Sequence, residues 1–454
     1  MNTPIIDFVR EYKEREGTRF HMPGHKGHVF FGWEPFDITE IPGADVLHLG
    51  AGIIRESERN AGELFGTGGT FYSTEGSSHC IKAMLAVLRM EWEQERGMTG
   101  RRPWILAARN VHRSMIDACA LVDFDVKFLW GEKSGGLCSH VITGEQLEEA
   151  LRDEEEMPLA VYVTSPDYLG QRGDVKALAD VCHRNGIPLV VDNAHGAYQH
   201  FLKDKCHPMD LGAAMCCDSA HKTLPALTGG AYLHLHPEYG ERFLPYVRQG
   251  LLLFGSTSPS YLTLQSLDYC NAYLAEHYEE RLQHTVERVQ EWKDLFTWVG
   301  GDVLPSEPLK IVLNTASHGY TGKQIARELR SYQIECEYEE EACLVLMVSP
   351  ENNERDWQRL LHWGKNTRLV RHRRRELPVA AWECLETERV MSIRQAVFSR
   401  SETVPVERAL HRVCAAETVS CPPAVPIAIC GEIITEAMVR EFKKFGIKEV
   451  SVVL

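Results

Sequence analysis

The sequence predicts an α/β protein with a large domain built on a mainly parallel sheet that has helices on both faces. Between residues 77 and 236, short β-rich runs alternate with helical ones, an order that gives right-handed crossovers between parallel strands. The run IPLVVD at 187–192 is almost continuously apolar, as in a strand buried on both faces. At 454 residues, the chain is long enough for two to three domains.

The elements of this domain follow one another in a regular order. Thr143 and Gln146 form a capping-box pattern that opens a helix to about residue 152. Gly186 closes a helix predicted over 174–186. The first helix, after a turn at 76–78, is indicated by apolar residues at helical spacing, namely Ile81, Met84, Leu85, Leu88 and Trp92. The remaining predicted elements are strands at 104–108, 125–130, 159–166, 187–192 and 213–218, and a helix at 114–122.

Two further units are expected after the large domain. Apolar runs at 309–314 and 343–350, with a capped helix from Thr321 between them, predict a small α/β domain. The basic run RHRRRE at 371–376 is typical of a solvated helix end or linker. The prolines and glycine of 421–434 indicate a turn-rich C-terminal unit. We therefore predict three domains, with boundaries at 1–285, 286–380 and 381–454.

Composition narrows the classes of function. A net charge of −15 disfavours a nucleic-acid or anionic-membrane partner, and no apolar stretch approaches the roughly 18 residues of a membrane span. The 14 cysteines are scattered, which is typical of reduced thiols in a cytosolic protein. His21 and His25 are separated by Pro23 and Gly24, so a helical metal site is not expected there. We expect a cytoplasmic protein without a metal.

Polar residues collect where the predicted strands end. Ligands of open parallel sheets bind beyond the carboxyl ends of the strands. The residues placed there by the sequence are His112 after one strand, Asp167 and Tyr168 after another, Asp192, Asn193 and His195 after a third, and Ser219, His221 and Lys222 after a fourth. This convergence indicates a functional site rather than a packed core.

Lys222 and Asp192 carry the chemical prediction. A lysine directly after a buried strand is costly to keep charged and unpaired, and an imine with an aldehyde cofactor removes that cost. Asp192 would pair with a protonated pyridine nitrogen and so keep the ring an electron acceptor. The alternative is a buried Asp–Lys ion pair with no catalytic role.

Two weaker signals fit the same cofactor. The turn Gly76–Ser77–Ser78 opens a helix, so its N–H groups and hydroxyls suit a phosphate at the positive end of the helix dipole; the alternative is an ordinary N-cap. His112 would stack on the pyridine face, or would be a satisfied surface histidine.

These stretches together resemble the fold type I Orn/Lys/Arg decarboxylase family over nearly the whole chain. The segments that carry the resemblance are FHMPGHKG (20–27), DITEIPGADVL (37–47), RNVHRS (109–114), VVDNAHGAYQHF (190–201), SAHKTLPALTGGAYLH (219–234), GSTSPSYLTLQSLD (255–268) and the C-terminal stretch 404–432. The segment at 219–234 is specific to cofactor attachment, whereas the Gly-Ser turn is generic.

The resemblance implies an aspartate aminotransferase-like large domain that binds pyridoxal 5′-phosphate, with a small domain and a short C-terminal domain. It implies Lys222, His221 and His112 as catalytic residues. The cofactor would be bound by Gly76, Ser77, Ser78, His112, Asp192, His195, Ser219, His221 and Lys222. Asp167 and Leu169 depart from the family pattern, as do Ser420, Cys421 and Cys430 near the C-terminus, and these departures bear on substrate choice and activity.

The expected function is decarboxylation of a basic amino acid to its amine and CO₂, as in polyamine biosynthesis, with arginine or lysine ahead of ornithine. Two alternatives remain: another reaction on the same cofactor, such as transamination or carbon–sulfur lysis, and a divergent paralogue without catalysis. The hydroxyl-rich segment at 256–261 beside the apolar run at 250–254 predicts a homodimer, or a higher homo-oligomer, with shared sites.

Overall fold

The computed structural model describes residues 1–97, 100–131, 137, 139–152, 154–371, 385–416 and 425–454. Its large domain is built on a seven-stranded sheet. The strands are β1 (Gly69–Ser73), β2 (Trp104–Ala108), β3 (Asp125–Leu129), β4 (Val161–Thr164), β5 (Leu189–Asp192), β6 (Met215–Asp218) and β7 (Ala231–Leu235). They lie in the order β1-β7-β6-β5-β4-β2-β3. Neighbours from β6 to β3 are parallel, and β7 is antiparallel to both β1 and β6.

Helices cover both faces of this sheet, as predicted. They are α1 (Pro4–Glu14), α2 (Ile53–Phe65), α3 (Ser77–Arg96), α4 (Arg113–Val122), α5 (Gly144–Arg152), α6 (Val175–Arg184), α7 (Ala220–Thr223), α8 (Gly240–Phe254) and α9 (Tyr261–Ala275). The predicted apolar residues of α3 are buried. Thr143 and Gln146 form both hydrogen bonds of the predicted capping box, at 2.9 and 3.2 Å. The sequence periodicity therefore identified the large domain correctly.

The small domain is built on an antiparallel four-stranded sheet in the order β10-β11-β9-β8. Its strands are β8 (Val303–Leu304), β9 (Lys310–Asn314), β10 (Tyr338–Glu339) and β11 (Cys343–Met347), and its helices are α10 (Tyr278–Trp298), α11 (Gly322–Ser331), α12 (Glu354–Asn366) and α13 (Arg368–Arg371). The predicted boundary after residue 285 falls inside α10. Leu282 of this helix packs in the large-domain core, and Trp292 packs in the core of the small domain, so α10 connects the two.

The C-terminal unit contains α14 (Ile393–Phe398), α15 (Glu436–Lys444) and the antiparallel pair β12 (Ser401–Pro405) and β13 (Glu449–Val453). The basic run at 371–376 lies outside the described residues beyond its first position, as do Ser420 and Cys421. Among the described residues, no helix has both the length and the apolar character of a membrane span.

Candidate active site

The strand ends bring the predicted residues to one edge of the large sheet. Asp192 is the last residue of β5, and α7, which carries His221 and Lys222, begins two residues after β6 ends. Because β5 and β6 are parallel neighbours, their carboxyl ends lie side by side. His112 precedes α4, which follows β2. The convergence predicted from the sequence is therefore present.

Lys222 faces a histidine at the centre of this edge. Its Nζ lies 3.0 Å from Nε2 of His195. His195 is buried, and its pKa lies well below the ordinary value because burial disfavours the charged ring and the nearby Lys310 and Lys222 charges repel it. His195 is therefore neutral, and its Nε2 can accept a hydrogen bond from the Lys222 amine. The expectation that Lys222 itself is buried is wrong: the residue is exposed, because the short helix α7 moves it past the end of the buried strand.

Asp192 supplies a buried carboxylate beside this pair. The residue is 2% exposed. Its Oδ1 accepts the backbone N–H of Ala194 at 3.2 Å and the thiol of Cys217 at 3.7 Å. Cys217 is the β6 residue paired with Asp192 in the sheet. The carboxylate is thus held in place by its own turn and by the neighbouring strand.

The turn at 76–78 begins a long helix and is coupled to the lysine segment. Gly76 adopts a φ of +75°, which favours glycine, and α3 then runs for 20 residues. The Ser219 hydroxyl donates to the Ser77 hydroxyl at 2.8 Å. Ser78 is the second residue of α3, where backbone N–H groups have no partner within the helix. Two hydroxyls therefore lie at a helix N-terminus, a combination that can bind an anion.

Two further histidines complete the predicted set. His112 caps α4, with Nδ1 accepting the backbone N–H of Ser114 at 3.2 Å. Burial lowers the pKa of His112, the Asp192 charge raises it and the Lys222 charge lowers it, so the ring lies within electrostatic reach of both. His221 Nδ1 lies 3.0 Å from the carbonyl oxygen of Gly230, which fixes the proton on Nδ1 when the ring is neutral.

Sequence reasoning placed Tyr168 at this edge but missed Tyr338 and Lys310, which form a wall of the site with it. The Tyr168 ring packs edge-on against His195 at 5.5 Å and against Tyr338 of the small domain at 5.3 Å. Lys310 lies behind it, with Nζ 5.9 Å from the Tyr168 ring centre. A charged residue inside the apolar run LKIVLN was the available signal for Lys310. No sequence pattern indicated Tyr338, because it reaches the site through the packing of two domains.

A buried polar cluster lies behind β5 and β6. The Asp218 carboxylate accepts hydrogen bonds from Asn193 at 2.7 Å, His207 at 2.9 Å and His234 at 3.2 Å. Burial raises the pKa of Asp218, but His207 and His234 outweigh it and hold that pKa far below its usual range. Cys216 lies near His207 and Asp218. Because the carboxylate is fully satisfied by hydrogen bonds, the cluster is a structural support for the β5 end.

The residues present fit pyridoxal phosphate. A primary amine, a buried carboxylate, neutral imidazoles and an anion-binding turn match its aldehyde, pyridine nitrogen, ring and phosphate in turn. Buried polar atoms without a partner among the described residues include Nδ1 of His195 and Oδ1 of Asn110, both just beyond the carboxyl ends of strands. Such atoms are expected where a polar ligand binds.

Comparisons with known proteins agree with this geometry. Residues 3–312 match the model of the Orn/Lys/Arg decarboxylase major domain. An arginine decarboxylase of Halalkalibacterium halodurans is 30% identical, with 98% of this chain and 94% of that protein aligned. The Francisella novicida lysine decarboxylase LdcF superposes with a TM-score of 0.79 at 16% identity, over 100% of this chain and 81% of that one.

A more distant structure holds the cofactor. Oryza sativa TDC with PLP and tryptamine superposes with a TM-score of 0.57 at 16% identity, over 69% of this chain and 76% of that one. The fold is thus that of the fold type I pyridoxal-phosphate enzymes. With most of the chain matched to one family model and a relative aligned along nearly its whole length, this protein belongs to the Orn/Lys/Arg decarboxylase family.

Proposed function

We propose that this protein decarboxylates a basic amino acid and uses pyridoxal 5′-phosphate attached to Lys222. The observation that carries the proposal is the arrangement at the carboxyl edge: the Lys222 amine lies 3.0 Å from a neutral His195, beside the buried Asp192 carboxylate. A neutral imidazole can accept a hydrogen bond from the Lys222 amine and orient it toward an aldehyde carbon. The alternative, a buried Asp–Lys ion pair without a catalytic role, would not require His195 next to the Lys222 amine.

Each side chain of the site has a role in this proposal. When bound, pyridoxal phosphate supplies an electron sink for the electron pair that the departing carboxylate leaves. Asp192 would hold the pyridine nitrogen protonated, Ser77, Ser78 and Ser219 would bind the phosphate with the help of the Gly76 turn, and His112 would lie against the ring face. His221 or Lys222 would return a proton to the substrate α-carbon.

The substrate class rests on the relatives. Arginine decarboxylases resemble this chain over nearly its whole length, and a lysine decarboxylase resembles it in fold, so we propose arginine or lysine ahead of ornithine. The amine product would then serve polyamine biosynthesis in the cytoplasm. Asp167 and Leu169 flank Tyr168 and depart from the family pattern, so we expect them to affect substrate preference through the position of that ring.

The proposed assembly is a homodimer. Leu252 and Leu253 at the end of α8 are 46% and 57% exposed, and Phe30, Phe31 and Trp33 are 61% exposed or more. Apolar surface of this extent is typical of an interface. Ser256 lies beside the phosphate turn, since its backbone N–H donates to Glu75 at 2.7 Å. The adjoining hydroxyls of 256–258 are exposed and are available to a second subunit.

A CO₂-release screen over carboxyl-labelled amino acids, with cofactor added, tests the proposal. We expect CO₂ and the matching amine from arginine or lysine, with no keto acid, and no product from Lys222→Ala. A keto acid without CO₂ would instead show an aminotransferase, and sulfide release would show a carbon–sulfur lyase. Cofactor binding without any product from the full set of amino acids would indicate a non-catalytic paralogue.

A further inference from the structure

A buried lysine of the small domain lies beside the candidate active site. Lys310 begins β9 and is 1% exposed. Its Nζ lies 3.1 Å from Oε1 of Glu307 and donates to the backbone carbonyls of Asp167 and Tyr168 at 3.2 Å each. An ammonium can be buried at tolerable cost only when its donors are paired in this way. Lys310 therefore ties the small domain to the turn that follows β4.

This Tyr168 turn, residues 167–171, is tightly held. The backbone N–H of Glu307 donates to the carbonyl of Gly170 at 2.8 Å. Gly170 has a φ of +82°, and a Cβ atom there would lie 3.1 Å from both Glu307 and Lys310. Within the turn, the backbone N–H of Gln171 donates to the Asp167 carboxylate at 2.8 Å. The Lys310–Glu307 pair therefore sets the position of the turn, and the backbone of residues 167–171 has little freedom to move.

The turn presents Tyr168 to the histidine that faces Lys222. The Tyr168 and His195 rings meet edge-to-face, with an interplanar angle of 79°. The Tyr168 hydroxyl donates to Glu337 of the small domain at 3.1 Å, which fixes the far end of the ring. A ring held at both ends restricts the rotation of the imidazole against it.

We propose that Lys310 is a positioning residue for the proposed reaction: by holding the Tyr168 turn, it fixes the His195 ring whose Nε2 faces Lys222. This inference rests on the proposed function. Electrostatics act in the same direction, since the Lys310 charge follows burial as the next cause that lowers the pKa of His195, ahead of Lys222, His112 and His221. The Lys310 ammonium thus helps to keep the His195 ring neutral.

The test is a histidine titration by NMR on the full chain before cofactor is added. The test variant is Lys310→Met combined with Glu307→Gln, which removes the pair without leaving one charge buried and unpaired. The control is Lys293→Met, because Lys293 is also buried in the small domain and bonds to Ser306 at 3.1 Å rather than to the turn. The His195 signal is identified by its loss in His195→Gln.

We expect the pKa of His195 to rise in the double variant, which removes the nearby Lys310 charge, and to stay unchanged in Lys293→Met. The Tyr168 ring also changes the chemical shifts of the His195 ring protons, and the size of this effect is measured in Tyr168→Leu. The double variant should lose the same contribution. An unchanged titration and unchanged ring signals in the folded double variant would overturn the proposal, and so would equal shifts in the control.

These readouts need no cofactor or substrate, so they are independent of the proposed function. Adding pyridoxal phosphate and substrate then separates the two hypotheses. A shifted His195 pKa in a protein that decarboxylates nothing would refute the function and leave the Lys310 contact in place. Normal titration with normal decarboxylation would refute the positioning role alone.

Discussion

At the scale of single residues, the chemistry depends on a few groups in environments that oppose their ordinary behaviour. His195 is buried with a lowered pKa, Asp192 is a carboxylate with 2% exposure, and Asp167 is buried with its pKa raised to about 6. Perturbed groups that cluster at one sheet edge are typical of functional sites. Three predictions belong to this scale.

The first concerns Lys222 as the attachment point. Borohydride reduction of the cofactor-loaded protein should fix the cofactor to the peptide that contains Lys222, because its amine lies 3.0 Å from His195 at the carboxyl edge of the sheet. Mass spectrometry of the digest measures the label. The variant Lys293→Met serves as the control and should keep the label, whereas Lys222→Ala should lose it. A label on any other lysine would show that the attachment site is misassigned.

The second concerns Asp192. Asp192→Asn keeps the size of the side chain and removes its charge, so the pyridine nitrogen would no longer stay protonated. We expect cofactor to bind while turnover falls about a hundredfold or more. Steady-state CO₂ release and cofactor absorbance measure the two effects. Turnover near that of the unmodified protein would exclude the electron-sink role of this carboxylate.

The third concerns the pH dependence of stability at Asp167. Burial raises its pKa to about 6 from 3.8, and hydrogen bonds from Ser139 and Gln171 limit the rise. The folded protein therefore binds this proton more tightly than the unfolded chain, and ionisation destabilises the fold as pH rises through about 6. The difference in unfolding free energy between Asp167→Asn and the unmodified protein should therefore change with pH. It should rise by roughly 1 kcal/mol in favour of the variant from about pH 5 to about pH 7.5. A difference that stays constant across denaturant titrations at these pH values would contradict this assignment.

At the scale of elements, a buried ion pair attaches the C-terminal unit to the large sheet. Arg109 follows β2 directly and is 1% exposed. Its guanidinium makes two hydrogen bonds to the Glu432 carboxylate, at 2.5 and 2.9 Å, and it stacks over Trp130. His112 lies three residues further along the same segment, so the C-terminal unit supports the loop that carries it.

Breaking this pair should be costly. Glu432→Gln leaves the Arg109 charge buried without a counter-ion, and we expect the unfolding free energy to fall by about 3 to 5 kcal/mol. The exposed pair of Arg412 with Glu402 offers a control, because Glu402→Gln should change stability by less than about 1 kcal/mol. Thermal and urea unfolding measure both. Equal changes in unfolding free energy for the two substitutions would show that the buried Arg109–Glu432 pair stabilises the protein no more than the exposed pair does.

At the scale of the whole molecule, the exposed leucines of α8 and the hydroxyls at 256–258 predict a dimer whose sites are shared. We expect partial recovery of activity when Lys222→Ala is mixed with a variant carrying Ser256→Ala and Thr257→Ala. In such a hybrid one site keeps both an intact Lys222 and an intact partner segment. Native mass spectrometry confirms that hybrids form, and CO₂ release measures recovery.

A matched control mixes two variants whose substituted residues come from the same subunit of each site. Lys222→Ala mixed with Asp192→Asn should recover nothing, since each site of the hybrid retains one damaged residue under either arrangement. If the Ser256 segment served only its own subunit, the first mixture would also stay inactive. That result, with hybrids present, would leave a dimer without shared sites.

The sequence by itself determined the local elements and the type of chemistry. The hydrophobic period revealed α3 and the buried β5 because both patterns arise within a few adjacent residues. The strand-end positions of Asp192, His195 and Lys222 followed from the same pattern, since parallel strands bring their carboxyl ends together.

Only the tertiary structure decided the rest. The exposure of Lys222 and its contact with His195 depend on how α7 and the turn after β5 are placed at the sheet edge, 27 positions apart in the chain. The wall formed by Tyr168, Tyr338 and Lys310 depends on how two domains pack, because residues more than 100 positions apart carry no shared local period. The antiparallel β7 within the parallel sheet and the burial of Arg109 against Glu432 are likewise products of long-range packing. The local sequence determines which functional side chains a segment carries, and tertiary packing determines which residues each side chain contacts.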